Sequence, residues 1–93
     1  MMHIEIVSPE ATLFSGEVES VIVPGSMGSF QMLNNHAPIV STLKEGIVKI
    51  YGKMDLDDTF KDKFKKQDDN TTLFQISSGT VEMRNNKLIL LAD

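Results

Sequence analysis

Val81-Glu82-Met83-Arg84-Asn85-Asn86-Lys87-Leu88-Ile89-Leu90 reads as two strands joined by a two-residue turn. Val81 and Met83 share one face and Glu82 and Arg84 the other, the period of two that a half-buried strand requires. Asn85 and Asn86 both tolerate positive φ, which a tight hairpin turn of the primed type demands. The same period recurs toward the N-terminus. Leu73 to Ser77 puts Phe74 and Ile76 on one face, and Ile47 to Tyr51 sets Val48 and Ile50 opposite Ile47, Lys49 and Tyr51. Glu17 to Val23 alternates Val18, Ser20 and Ile22 against Glu17, Glu19, Val21 and Val23, while Ile4, Ile6 and Ser8 alternate with His3, Glu5 and Val7. Leu88 to Leu91 is apolar on both faces. Pro9-Glu10 and Pro24-Gly25-Ser26-Met27-Gly28 supply turns, and Phe14-Ser15-Gly16-Glu17 is expected to kink or bulge its strand. About seven to ten short strands with tight turns and little helix predict an all-β fold, an antiparallel two-sheet β-sandwich or flattened barrel.

Length and composition narrow the rest. The 93 residues suit one domain, which at this size buries only about 60% of its unfolded surface. Without cysteine there is no disulfide, zinc-thiolate site or thiol nucleophile. A net charge of -4 argues against nucleic acid, which needs a basic face. No apolar run approaches the ~20 residues of a membrane span, and Met1-Met2-His3-Ile4-Glu5 does not open a signal peptide. A soluble cytoplasmic domain, part of something larger, is the expectation. Residues 53–69 hold five of the nine basic and six of the thirteen acidic groups, and are expected to form a solvated, mobile charged loop inserted in the domain. Phe60 and Phe64 could share one turn of helix there.

Catalysis finds little support. His3 reads as a surface residue, and His36 has no acidic residue within eight positions. Ser29, Ser41 and Glu45 are the nearest candidates for a nucleophile and an orienting carboxylate, with no spacing that singles them out. The plain reading of His36 is a ring bonded to neighbouring backbone in a Pro-terminated loop. Gly25 and Gly28 lack the further glycine, Lys-Ser/Thr pair and helix of a phosphate cradle, and read as turn glycines with positive φ. No ligand spacing for a metal is present. Met27, Phe30, Met32 and Leu33 cluster between turns. In a strand, Phe30 and Met32 are not both expected inward, so one face would show apolar groups to a protein partner.

Three ordered stretches resemble one family. Ile6-Val7-Ser8-Pro9-Glu10 with Leu13-Phe14-Ser15-Gly16-Glu17-Val18 is similar to the opening of the epsilon subunit of F-type ATP synthases, called delta in mitochondria. So are Val23-Pro24-Gly25-Ser26-Met27-Gly28-Ser29-Phe30 with His36-Ala37-Pro38 through Gly46, and Ile76-Ser77-Ser78-Gly79-Thr80 through Asp93. The resemblance spans all but the charged 53–69 segment. It implies a ten-stranded sandwich, a non-catalytic rotor subunit of the central stalk without cofactor, and partners in the gamma subunit, the c-ring and the rest of the complex. It also implies a peripheral place on the cytoplasmic side of a bacterial inner membrane, reached only through the complex. By the resemblance, Ser26, Met27, Gly28, Ser29, His36, Ala37 and Pro38 would meet the c-ring, and Ser8 and Ser41 the gamma subunit. Two departures stand out: Gln31-Met32-Leu33-Asn34 replaces a Gly-Ile-Leu-Pro-like stretch, and Ser29 stands where the family often has an acid. The chain is expected to be a short form, without the inhibitory helical hairpin that follows in most bacterial members. The alternatives are a free-standing sandwich binding a peptide or small ligand, and a small hydrolase using His36.

Overall fold

The computed structural model describes all 93 residues. Ten strands follow one another: β1 (Met2–Val7), β2 (Thr12–Val18), β3 (Ser20–Val23), β4 (Phe30–Leu33), β5 (Ile39–Leu43), β6 (Gly46–Tyr51), β7 (Phe64–Asp68), β8 (Thr71–Ile76), β9 (Gly79–Arg84) and β10 (Lys87–Ala92). They form two five-stranded sheets, ordered β2-β1-β10-β9-β5 and β4-β3-β6-β8-β7. Between them lies one core of 21 buried apolar residues. Alternation does the sorting: Met2, Ile4 and Ile6 of β1, Val48 and Ile50 of β6, Val81 and Met83 of β9, and Leu88 and Leu90 of β10 all turn inward. The expected hairpin turn is present, with φ of 52° at Asn85 and 60° at Asn86, and it sets the register Lys87 to Arg84 and Leu88 to Met83.

Several expectations are corrected. The sandwich is not wholly antiparallel, because β1 and β10 pair in parallel. First and last strands are neighbours running the same way, and a parallel pair needs a long crossover, here the whole intervening chain. Residues 17–23 are not one strand. The chain turns from one sheet to the other at Glu19, so Val18 ends β2 and Ser20 begins β3, and the inward phase shifts to Ser20, Val21 and Val23. The Glu19 N–H donates to the Tyr51 carbonyl at 2.7 Å. Gly52, at φ 131°, lets this corner close, since a Cβ there would lie 3.0 Å from the Glu19 nitrogen. The irregularity in β2 falls one residue before the expected stretch. Ile6 opposes Phe14 and Val7 opposes Thr12, leaving Leu13 extra, so that adjacent Leu13 and Phe14 are both buried.

The charged segment is not a detached loop. Met54 and Phe64 are buried, Lys61–Lys63 forms a 3-10 turn, and residues 64–68 are the edge strand β7. Phe64 stacks on Phe74 with ring centroids 4.9 Å apart, and this apolar anchor holds an otherwise charged strand to the sheet. Phe30 and Met32 are also corrected. Residues two apart in a strand share a face; Met32 is fully buried and Phe30 packs against the same core. Met27 and Leu33 are the members of that cluster exposed to solvent.

Candidate functional site

The expected contact residues lie on the edge strands β4 and β5 and the segments that flank them. The turn before β4 closes with the Gly28 N–H donating to the Gly25 carbonyl at 2.9 Å. Gly28 has the positive φ, 131°, whereas Gly25 does not. Gly25 is required by crowding instead, because a Cβ there would lie 2.6 Å from the Gly28 carbonyl oxygen. β5 fastens this turn. The Ser26 N–H donates to the Thr42 carbonyl at 3.0 Å and the Lys44 N–H to the Pro24 carbonyl at 2.9 Å, while the Thr42 hydroxyl donates to Ser26 Oγ at 2.8 Å. Met27 stands fully exposed at the tip, and Ser26, Gly28 and Ser29 are exposed beside it.

His36, Ala37 and Pro38 lie at the other end. β4 leads away from the Ser26–Ser29 turn to Leu33, and the chain then turns through Asn35, at φ 63°, with the His36 N–H donating to the Leu33 carbonyl at 3.0 Å. His36 Nδ1 donates to the Ala37 carbonyl at 2.7 Å, the backbone-bonded ring expected of it, and no carboxylate orients it. This loop meets the β9–β10 hairpin: the Asn35 N–H donates to Asn86 Oδ1 at 2.7 Å. β5 then runs back, from Ile39 opposite Met83 to Leu43 opposite Gly79, where Gly25 bridges Leu43. The two halves of the expected ring contact therefore sit at opposite ends of one flank. They are not gathered into a single patch.

Ser8 and Ser41 are separate from each other. The Ser8 hydroxyl caps the Pro9-Glu10 turn through the Ala11 backbone at 3.3 Å, beside a cavity of about 330 Å³ shared with Leu13, Glu45, Ile76 and Asp93. Ser41 lies mid-β5 opposite Val81, its hydroxyl donating to the Thr42 carbonyl at 3.1 Å.

One constellation escaped sequence reasoning. His3 Nδ1 lies 3.0 Å from Glu17 Oε2, and the Ser15 hydroxyl lies 3.3 Å from His3 Nε2, a hydroxyl–imidazole–carboxylate order. Cross-strand pairing of His3 with Glu17 creates it, which no spacing along the chain announces. Its members are open to solvent on a sheet face, where no low-dielectric site strengthens the nucleophile or stabilises developing charge. The largest cavity, about 500 Å³, lies by Met54, Leu56 and Phe64 under a rim of Lys61, Asp62 and Lys66. No cluster of His, Cys, Asp or Glu could hold a metal ion, and no helix is long and apolar enough to cross a membrane.

Comparison with known proteins gives the architecture a family. The model of the ATP synthase delta/epsilon chain β-sandwich domain matches residues 1–93. Among curated proteins, the ATP synthase epsilon chain of Campylobacter concisus is 38% identical over 99% of this chain and 60% of its own length. That of Chlorobaculum tepidum is 40% identical over 97% of this chain and 86% of its own. The chain thus spans about 60% of the length of the Campylobacter relative. Among solved structures, a chain of the central stalk/c-ring of the Tetrahymena thermophila mitochondrial ATP synthase superposes with a TM-score of 0.69 at 14% identity, over 98% of this chain and 62% of that one. A chain of the Euglena gracilis mitochondrial ATP synthase gives 0.72 at 13% identity, over 96% and 48%; both likenesses speak for the fold. The ten strands in two sheets, the hairpin at Asn85-Asn86 and a family match from the first residue to the last lead to one conclusion: this chain belongs to the ATP synthase delta/epsilon chain β-sandwich family.

Proposed function

We propose that this chain serves as the sandwich part of a non-catalytic epsilon-type subunit in the central stalk of an F-type ATP synthase. There it helps couple proton-driven rotation of the c-ring to ATP synthesis in the catalytic head. The observation that carries this reading is the family match over residues 1–93, together with relatives named ATP synthase epsilon chain at up to 40% identity across nearly the whole chain. The partners are the gamma subunit and the c-ring, and the place is the cytoplasmic side of a bacterial inner membrane, peripheral and held there by the complex. Rotation demands a stiff body, and two sheets closed over one core with short turns supply it. Ser26–Ser29 and His36–Pro38 are assigned to the ring and Ser8 and Ser41 to gamma. A ring contact using both segments would run along the β4–β5 flank, because the segments stand at its two ends. Co-expression with the gamma subunit from the same source should give a complex that survives gel filtration, and a chain that elutes alone would overturn the reading.

The free-standing binding module keeps one observation in its favour: β4 is an edge strand with a single neighbour, open to strand addition. A peptide that binds in competition with gamma would be the sign of it.

A further inference from the structure

One carboxamide ties together three segments that the sequence keeps far apart. Asn86 Nδ2 donates one hydrogen to the Met1 carbonyl at 2.9 Å and the other to Asn34 Oδ1 at 2.8 Å. Its Oδ1 accepts the Asn35 N–H at 2.7 Å, and its main-chain carbonyl accepts the His3 N–H at 3.1 Å. The orientation of the amide is decided by these partners, since reversing it would set an oxygen against two oxygens and an NH₂ against an N–H. Both donors of the side chain are used. Left-handed backbone at Asn35 and Asn86 lets the two turns approach. The β5–β9 pairing takes over only from Ile39 onward; within the loop His36 bonds only to its own neighbours, and Ala37 and Pro38 are exposed.

We infer that Asn86 is a positioning residue, whose carboxamide clasps the His36–Ala37–Pro38 loop to the β9–β10 hairpin and the N-terminal strand so that the loop is presented as one rigid contact. The inference rests on the proposed reading of that loop as a partner interface. Its chemistry is that of preorganisation: a loop already held in its bound shape loses less freedom on docking.

Asn86→Gly suits the positive φ and removes the side chain. Asn86→Asp keeps shape and acceptor but removes both donors, facing a carboxylate oxygen toward Met1 O and Asn34 Oδ1. In Asn86→Gly, amide exchange at Asn35 and His36 should accelerate about tenfold or more, and in Asn86→Asp, which keeps an acceptor for the Asn35 N–H, by less, with exchange in β1, β9 and β10 interiors unchanged. Affinity for the purified gamma subunit or the detergent-solubilised c-ring, whichever His36→Ala weakens, should fall about tenfold, and Asn86→Gly with His36→Ala should be no weaker than the worse single variant. Unchanged exchange at Asn35 and His36 in both variants overturns the clasp. Faster exchange with wild-type affinity, where His36→Ala does weaken binding, overturns the positioning role. If His36→Ala weakens neither partner while exchange still rises, it is the interface reading of the loop that falls, and the positioning role with it.

Discussion

Ile4 and Leu88 face one another across the parallel pairing of β1 with β10, and neither retains any solvent exposure. Strands from the two ends of the chain thereby form the middle of one sheet, with β2 on one side and β9 on the other. Shortening Leu88 to Ala at this seam should cost about 2–5 kcal/mol, against about 0.5–1.5 kcal/mol for Ile4→Val. The larger loss is a sizeable share of a total stability of about 5–15 kcal/mol. Urea unfolding should show a lowered midpoint with an unchanged slope, and a Leu88→Ala chain as stable as the parent would contradict the placement.

Phe64 is what recruits the charged segment into the fold. Phe64→Ala removes the stack on Phe74 and should cost about 3 kcal/mol. The loss should be local first: amides of β7 should exchange faster while those of β1 and β10 keep their protection. Uniform loss of protection across both sheets would show that β7 is no separate unit.

Gly79 lies opposite Ala92 where β9 meets β10, and a Cβ there would strike the Leu91 carbonyl oxygen. That oxygen belongs to a backbone held in the sheet and cannot swing aside. Gly79→Ala should therefore cost about 1–3 kcal/mol, read as a fall in melting temperature of roughly 4–8 °C per kcal/mol. A variant melting with the parent would refute the contact.

Asp57 is a titrating group held in its charged form by a local hydrogen bond. Its carboxylate accepts the Thr59 N–H at 2.8 Å; this bond, then one with the Thr59 side chain, hold it below its usual 3.8 although it is fully exposed. A lowered value means that folding favours the charged form. The associated stability is present above the usual value and is lost as pH falls through the folded-state value. A carboxyl titration by NMR should show a midpoint below 3.8, and Asp57→Asn, which cannot titrate, should flatten the acid limb of the stability curve. A midpoint at or above the usual value would rule this out.

The alternation of Ile4 with Ile6, Val48 with Ile50 and Val81 with Met83 is local, and so is the Asn85-Asn86 turn. Side-chain period and backbone tolerance are properties of a few adjacent residues, so an all-β sandwich with these inward faces is readable along the chain alone. The family, too, was legible from ordered stretches such as Pro24 to Phe30 and His36 to Gly46. Pairing between distant strands was not. That β1 lies parallel to β10, that the chain changes sheets at Glu19, and that Phe64 finds Phe74 depend on which apolar faces meet when the core closes. No neighbouring residue announces such a meeting. For the same reason the site was half legible: residue types marked the Ser26–Ser29 turn and the His36–Pro38 loop. Only the tertiary structure separated them to two ends of one flank, and only it brought Asn86 to Met1, Asn34 and Asn35, because a hydrogen bond between residues far apart in the chain exists only after the strands between them have packed.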